Sequence, residues 1–296
     1  MQIKKILVPT DFSEHADHAL ASAVKLARPV GASIHLIHVV QLPVLAVNPE
    51  APMLPVTFWQ ELREHARKRL APVQKKIEAD GVHCEIEVIE DVPGFAIPAA
   101  AQRVHADLIV MGSRGLTGVK HVLLGSVAER TVRGAACPVL TVKTASGELS
   151  LRTIVVPMDF SPASQRALEL AKSLAKSAGP SHLILVHAYY VPVELEQYLT
   201  THGDPFFDRL SKGVTKDLEA ILTSLQNAGI SSEYVARAGT PETVILDVAR
   251  EKKAGLIAMG THGRRGITHL LLGSTAEKIV RTAEVPVLTV RERATA

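Results

Sequence analysis

Short aliphatic runs alternate along the chain with longer stretches in which apolar residues return every three or four positions. In the first half the short runs are 6–9, 33–40, 83–89, 108–111 and 139–142, rich in Val, Ile and Leu and bounded by Gly, Pro or Asp, which predicts five strands. Their nearly continuous apolar character predicts burial on both faces, the mark of a parallel sheet wrapped by helices. Ser13 is the expected N-cap of a first helix reaching about residue 27. The stretch 57–80 sets Leu62, Ala66, Leu70, Val73 and Ile77 on one helical face, with Gly81 at the left-handed position beyond it. A third helix is expected over 94–105 and a fourth from Ser126.

The same order then recurs. KKILVPTDFS, from Lys4, matches RTIVVPMDFS, from Arg152, and the 35 residues from Leu108 match those from Leu256 at 21 positions, both at an offset of 148. A period of that length is a duplicated domain rather than a solenoid repeat. Two domains, 1–146 and 150–296, are expected, divided within the small, polar stretch 143–152. The second half carries one extra residue before its second strand, since Gly31 and Gly179 keep the offset whereas His38 and His187 do not.

Composition narrows the function. Of 296 residues, 33 are Lys or Arg and 30 Asp or Glu, a net +3 too even for a nucleic-acid footprint, so no nucleic-acid partner is expected. Cys84 and Cys137 lie in apolar runs without a CxxC pattern, so neither a disulfide framework nor a thiolate metal site is expected and a reducing cytoplasm fits. The N-terminus meets Pro9 and Asp11 before a signal-peptide core could form, and no apolar run approaches the ~20 residues of a membrane span, so a soluble chain with no membrane partner is expected.

In such a fold ligands collect at the carboxyl ends of the strands, where the strand order reverses. Strand one ends in Pro9, Thr10 and Asp11, and its repeat in Pro157, Met158 and Asp159. Strand four runs into Gly112-Ser-Arg114-Gly115, nine residues and Gly125-Ser126, and its repeat into Gly260-Thr-His262-Gly263, nine residues and Gly273-Ser274. Gly112 and Gly115 are expected to let backbone amides face an anion without a Cβ in the way, and Gly125-Ser126 to open a helix whose first amides lack partners. Together these groups can hold phosphates. Ser126 and Ser274 add a hydroxyl and stand as N-cap candidates. GxxxxGK[ST], GxGxxG after a strand, HExxH and GxSxG are all missing, which disfavours a P-loop or dinucleotide fold.

VPTDFS with GSRGLTGVKHVLLGS, and VPMDFS with GTHGRRGITHLLLGS, resemble the universal stress proteins, whose nucleotide-binding members show G-x2-G-x9-G-[ST] after strand four and an Asp after strand one. The resemblance spans essentially the whole chain as a tandem pair. It implies two open five-stranded parallel sheets of order 3-2-1-4-5, the adenine nucleotide α hydrolase-like fold, each binding ATP. Asp11 and Asp159 would approach the ribose or a phosphate-bound metal, Mg2+ among the candidates. Val39 and Ala188 would present backbone groups to adenine. Around the phosphates the likeness sets Met111, Gly112, Arg114, Gly115, Gly125, Ser126 and Val127 in the first half. In the second half it sets Met259, Gly260, His262, Gly263, Gly273, Ser274 and Thr275, with Pro9, Thr10 and Pro157 at the strand ends. It further implies that Val139–Val142 and Val287–Val290 bring the two domains together about a pseudo-two-fold, with homodimerisation of the chain a further option.

Several features depart from that pattern or stand outside it. Ala188-Tyr189-Tyr190 replaces Val39-Val40, Gly239 replaces Asp91, and Arg264-Arg265 replaces Leu116-Thr117, so unequal sites are expected, with more charge near the outer phosphate in the second. His15, His18, His262 and His269 lack the tight ligand set of a zinc cluster, and no resident metal is expected. His121 and His269 recur between halves as packing or phosphate-side residues. The Pro-rich segment 41–60, with the sole tryptophan Trp59, reads equally as a lid, a partner surface or quiet packing. Asp11 and Asp159 have a plainer reading too, as carboxylates at a helix N-terminus worth roughly 0.3 to 1 kcal/mol. Three functional classes follow: a nucleotide-dependent stress or signalling protein, a slow ATPase or nucleotidyl transferase, and an interaction scaffold with relic sites. The complete glycine pattern in both halves favours the first. Turnover would draft Asp11 with Arg114, or Asp159 with Arg264 and Arg265, and nothing compels it, so no catalytic residue is designated.

Overall fold

A computed structural model describes residues 2–41, 56–115, 124–144, 147–189, 206–262 and 272–292. The chain divides into two compact units, Gln2–Ala145 and Ser146–Ala296. The first contains β1 (Lys5–Pro9), α1 (Glu14–Val30), β2 (Ser33–Val40), α2 (Val56–Ala79) and β3 (Cys84–Glu90). It continues with α3 (Pro93–Arg103), β4 (Leu108–Gly112), α4 (Ser126–Gly134) and β5 (Val139–Val142). The second repeats the order with β6 (Thr153–Pro157), α5 (Pro162–Ser177), β7 (His182–Tyr189), α6 (Phe206–Asn227) and β8 (Ser231–Ala238). Its remaining elements are α7 (Pro241–Glu251), β9 (Leu256–Gly260), α8 (Ser274–Thr282) and β10 (Val287–Val290).

Each unit is an α/β domain built on an open parallel sheet. The strands run β3-β2-β1-β4-β5 in the first and β8-β7-β6-β9-β10 in the second, the expected 3-2-1-4-5 order in both. Ile6, Leu7 and Val8 of β1, and Ile154, Val155 and Val156 of β6, have no exposed surface. Helices cover both faces, so the three interior positions of each of these strands are apolar and none alternates. Each such side chain contributes roughly 1.5 to 3 kcal/mol of burial.

Element ends follow local chemistry. Ser13 and Ser161 cap α1 and α5, their hydroxyls accepting from the amides of Ala16 and Ser164 at 3.2 Å. α1 runs beyond its expected end, through Pro29 to Val30, because a proline in a last turn forfeits only one amide bond. Gly31, at φ 67°, then closes it. On α2, Ala66, Leu70 and Ile77 are buried while Leu62 and Val73 are half-buried, and Gly81 takes the left-handed conformation. The extra residue of the second half is absorbed between α5 and β7. Lys5 pairs with Ser33 and Thr153 with His182, so His38 and His187 occupy one position in the two sheets.

Trp59 lies on α2, its ring 5.3 Å from that of Phe58 and edge-on to it. Residues 42–55 of the Pro-rich segment, their counterpart 190–205 and the arms 116–123 and 263–271 lie outside the described residues. Among the described residues no helix is long and apolar enough to cross a membrane.

Burial pushes the Cys84 thiol up to about 12 and that of Cys137 to about 11, so neither forms thiolate near neutrality. Both are expected to react slowly with a thiol reagent at pH 8 in the folded chain and at ordinary rates in urea. Timed alkylation read by mass spectrometry checks this.

Candidate functional site

In each sheet the first strand lies between the second and the fourth, and the chain order reverses there. At the carboxyl ends of the second sheet this leaves a cleft of about 650 Å³, within the ordinary range of ligand pockets, ~300–1,000 Å³. Pro157, Asp159, Ala188, Met259, Gly260, His262, Gly273, Ser274 and Thr275 all line it. Those are nine of the ten second-half positions singled out in the sequence, and the tenth, Gly263, lies outside the described residues. The lining also includes Met158, which stands between Pro157 and Asp159 at the strand end, and Ser164, Val186, His187, Thr261 and Ala276, with Pro241 and Ile245 from α7, to which the sequence had given no ligand role. The first half sets its candidates at the same strand and helix ends. Pro9, Thr10 and Asp11 follow β1, Val39 is near the end of β2, and Met111 and Gly112 end β4. Arg114 and Gly115 begin the loop, and Gly125, Ser126 and Val127 open α4.

The turn after the first strand is built around its aspartate. Asp11 Oδ1 accepts from the Ser13 amide at 3.0 Å and the Ser13 hydroxyl at 2.5 Å, and Asp159 Oδ1 does the same for Ser161 at 3.0 and 2.6 Å. The carboxylate thus orients the hydroxyl that caps the next helix. The intervening phenylalanines adopt left-handed backbones, Phe12 at φ 62° and Phe160 at φ 61°. For a bulky residue this costs on the order of 1–3 kcal/mol and persists where neighbours over-determine it. Nothing in the sequence beyond the repeated Asp-Phe-Ser marked these residues.

One neighbour is a histidine. His38 Nδ1–H donates to the Thr10 carbonyl at 2.7 Å, and His187 Nδ1–H to the Met158 carbonyl at 2.6 Å. Their rings lie 4.6 Å from Phe12 and 5.5 Å from Phe160. Burial, with help from the nearby Arg69 cation, holds His38 below its usual pKa, against the opposing pull of its Thr10 bond and Asp11. A neutral ring with a fixed tautomer therefore braces the end of β1.

The phosphate-type loop is held by main-chain bonds. Ser113 N–H donates to the Val142 carbonyl at 2.8 Å and Gly125 N–H to the Ser113 carbonyl at 2.8 Å, clipping together the two ends of the arm. Thr261, Val290 and Gly273 repeat both bonds at 2.9 and 2.8 Å. The N-caps of α4 and α8 are Gly125 and Gly273, without a side-chain cap bond, and Ser126 and Ser274 are the first helical residues. This corrects the expectation that the serines cap their own helices. The reason is the clip, which fixes the extended residue one position earlier. Without a side-chain cap the leading amides are open to an acceptor from outside the helix, an anion among them.

The glycines also act differently from expectation. A Cβ on Gly112 would meet the His15 carbonyl oxygen at 3.0 Å, and one on Gly260 the Ala163 Cβ at 2.8 Å and the Ser164 amide at 2.9 Å. These residues let β4 lie flush against the first turn of α1, and β9 against that of α5, a packing role the sequence did not mark. A Cβ on Gly115 would overlap Asp11 Oδ2, so that glycine brings the loop against the aspartate. Asp11 and Asp159 offer one carboxylate to each half. That suits a Mg2+ carried in on phosphates, which takes one or two protein carboxylates. Among the described residues no group of three His, Cys, Asp or Glu side chains could cage a metal.

Two outcomes follow. Gly112→Val and Gly260→Val should each destabilise their domain by about 1–3 kcal/mol through overpacking, measured as a lowered urea midpoint. His38 should titrate below its ordinary 6.5, observable by NMR of its ring. Because the unfolded state then binds the proton more readily, stability should fall as pH drops beneath 6.5. His38→Asn should flatten that slope in thermal melts between pH 7 and 5.

The chain matches the model of the universal stress protein family twice, over residues 2–143 and 150–291. A universal stress protein of Methanocaldococcus jannaschii is 39% identical over 144 residues, covering 47% of this chain and 82% of the relative. Another from Mycolicibacterium smegmatis is 28% identical over 303 residues and covers 97% of both chains. The crystal structure of a universal stress protein from Archaeoglobus fulgidus superposes with a TM-score of 0.76 at 28% identity, over 98% of this chain and 99% of that one. With the family model matched in each half and a relative aligned end to end, the chain belongs to the universal stress protein family, as a tandem of two of its domains.

Proposed function

We propose that each half is an adenine-nucleotide module that grips ATP chiefly through main-chain amides, and that occupancy, not turnover, is the output of the protein. The observation that carries this is the convergence of nine separately placed residues, from β6, β7, β9 and α8, on a single cleft at the strand ends. The cleft includes the start of α8, which has no side-chain cap, an arrangement suited to a polyanion. Its apolar side, with Val186, Ala188 and Met259, suits a planar base. Mg2+ would enter with the phosphates beside Asp159, and the protein side supplies orientation and charge compensation there. Bound nucleotide stabilises whichever conformation it favours, which is how a stress or signalling module passes occupancy to a partner.

Heat-denaturing the purified chain and analysing the supernatant by ion-exchange chromatography should release adenine nucleotide in proportion to protein, as ATP. ADP or AMP with steady phosphate release would replace binding by hydrolysis. No nucleotide, together with a flat calorimetric titration of the folded chain with ATP and Mg2+, removes the reading.

A further inference from the structure

The two halves differ in charge at one matched pair of positions on the helices beside the site. In the second half Lys278 Nζ of α8 lies 2.7 Å from Glu242 Oε1 of α7, joining the two helices that wall the cleft. At the same offset of 148 the first half has Arg130 on α4 and Gly94 on α3. Gly94 supplies no carboxylate, and a Cβ there would come within 2.8 Å of Arg130 Cδ, so the arginine stem lies across the start of α3. Its guanidinium carbon stands 5.5 Å from the ring of Phe95, which is 64% exposed. Arg130 has no ion-pair partner among the described residues. It follows Ser126 by four residues, one turn along the same face of α4.

A second difference has the same sign. Arg69 of α2 stands 3.8 Å from the Phe12 ring, next to Asp11, and the position 148 residues on is Asp217. The first site is therefore bordered by arginines that aromatic rings hold, and the second by a lysine that a carboxylate already compensates. An arginine stacked on a ring is partly pre-organised and keeps its charge available to an anion.

We propose that Arg130 is a further binding residue of the first-half site, reading the outer phosphate charge of the nucleotide, while at the matching position of the second half the charge of Lys278 is compensated by Glu242. Arg130 then adds to the preference of the first site for adenosine polyphosphates over uncharged adenosine ligands, a contribution that the paired Lys278 does not make in the second. This rests on the nucleotide reading above.

The test is calorimetric titration of the full chain with ATP and, separately, with adenosine. Arg130→Gln should weaken one ATP site roughly tenfold, the size of one charge-assisted hydrogen bond, with adenosine binding unchanged and Arg130→Lys restoring part of the loss. Glu242→Gln should tighten the other ATP site, again without effect on adenosine. Equal loss for ATP and adenosine in Arg130→Gln, or loss for neither, overturns the proposal while ATP binding by the unaltered chain stands. Failure of the unaltered chain to bind ATP removes both.

Discussion

The leading amides of α4 and α8 begin their helices without a capping side chain, in contrast to α1 and α5, where serines close the first turn. A helix start of that kind needs acceptors from elsewhere, and its surroundings fix its position in three ways. The clip from Gly125 to Ser113 sets where the helix begins, and the bond from Ser113 to Val142 ties that clip to the sheet. Gly112, flush against the backbone of α1, sets the distance between the fourth strand and the turn that carries Asp11. Donors, aspartate and strand ends are thereby fixed relative to one another without any long side chain.

Comparison of the halves makes the same point. Thr10 becomes Met158, Val39 becomes Ala188 and Arg114 becomes His262, yet the main-chain bonds around them persist. The amide of Thr10 reaches the Ile37 carbonyl at 2.8 Å, and that of Met158 reaches Val186 at 2.8 Å. Geometry carried by the backbone leaves side chains free to diverge, in size as well as in charge.

Strand positions were legible because burial on both faces strips polar residues from the strand interiors, while the strand order came only through the family resemblance; Ser13 and Gly81 announced their helix ends through local chemistry. The strand-end residues of the site were legible through the duplication, which singles out repeated segments without a structure. Other features were hidden. A phenylalanine in a left-handed turn runs against its own preference, so Phe12 and Phe160 gave no local signal. The carbonyls that His38 and His187 bond, those of Thr10 and Met158, gave no signal in the sequence either. The direction in which a Gly112 Cβ would point, and the displacement of the cap from Ser126 to Gly125, depend on contacts between elements far apart in sequence.

The clip at the base of the nine-residue arm has an evolutionary consequence. Ser113 and Gly125 are fastened to each other and to the sheet, so the two ends of the arm are held together by main-chain bonds that no side chain supplies. Closing such a loop costs only about 0.6 kcal/mol more for each doubling of its length. Stability of the domain therefore exerts little selection on the length of the arm. The replacement of Leu116-Thr117 by Arg264-Arg265 falls within this arm, and two copies of one ancestral domain can acquire separate ligand preferences there while their scaffolds stay alike.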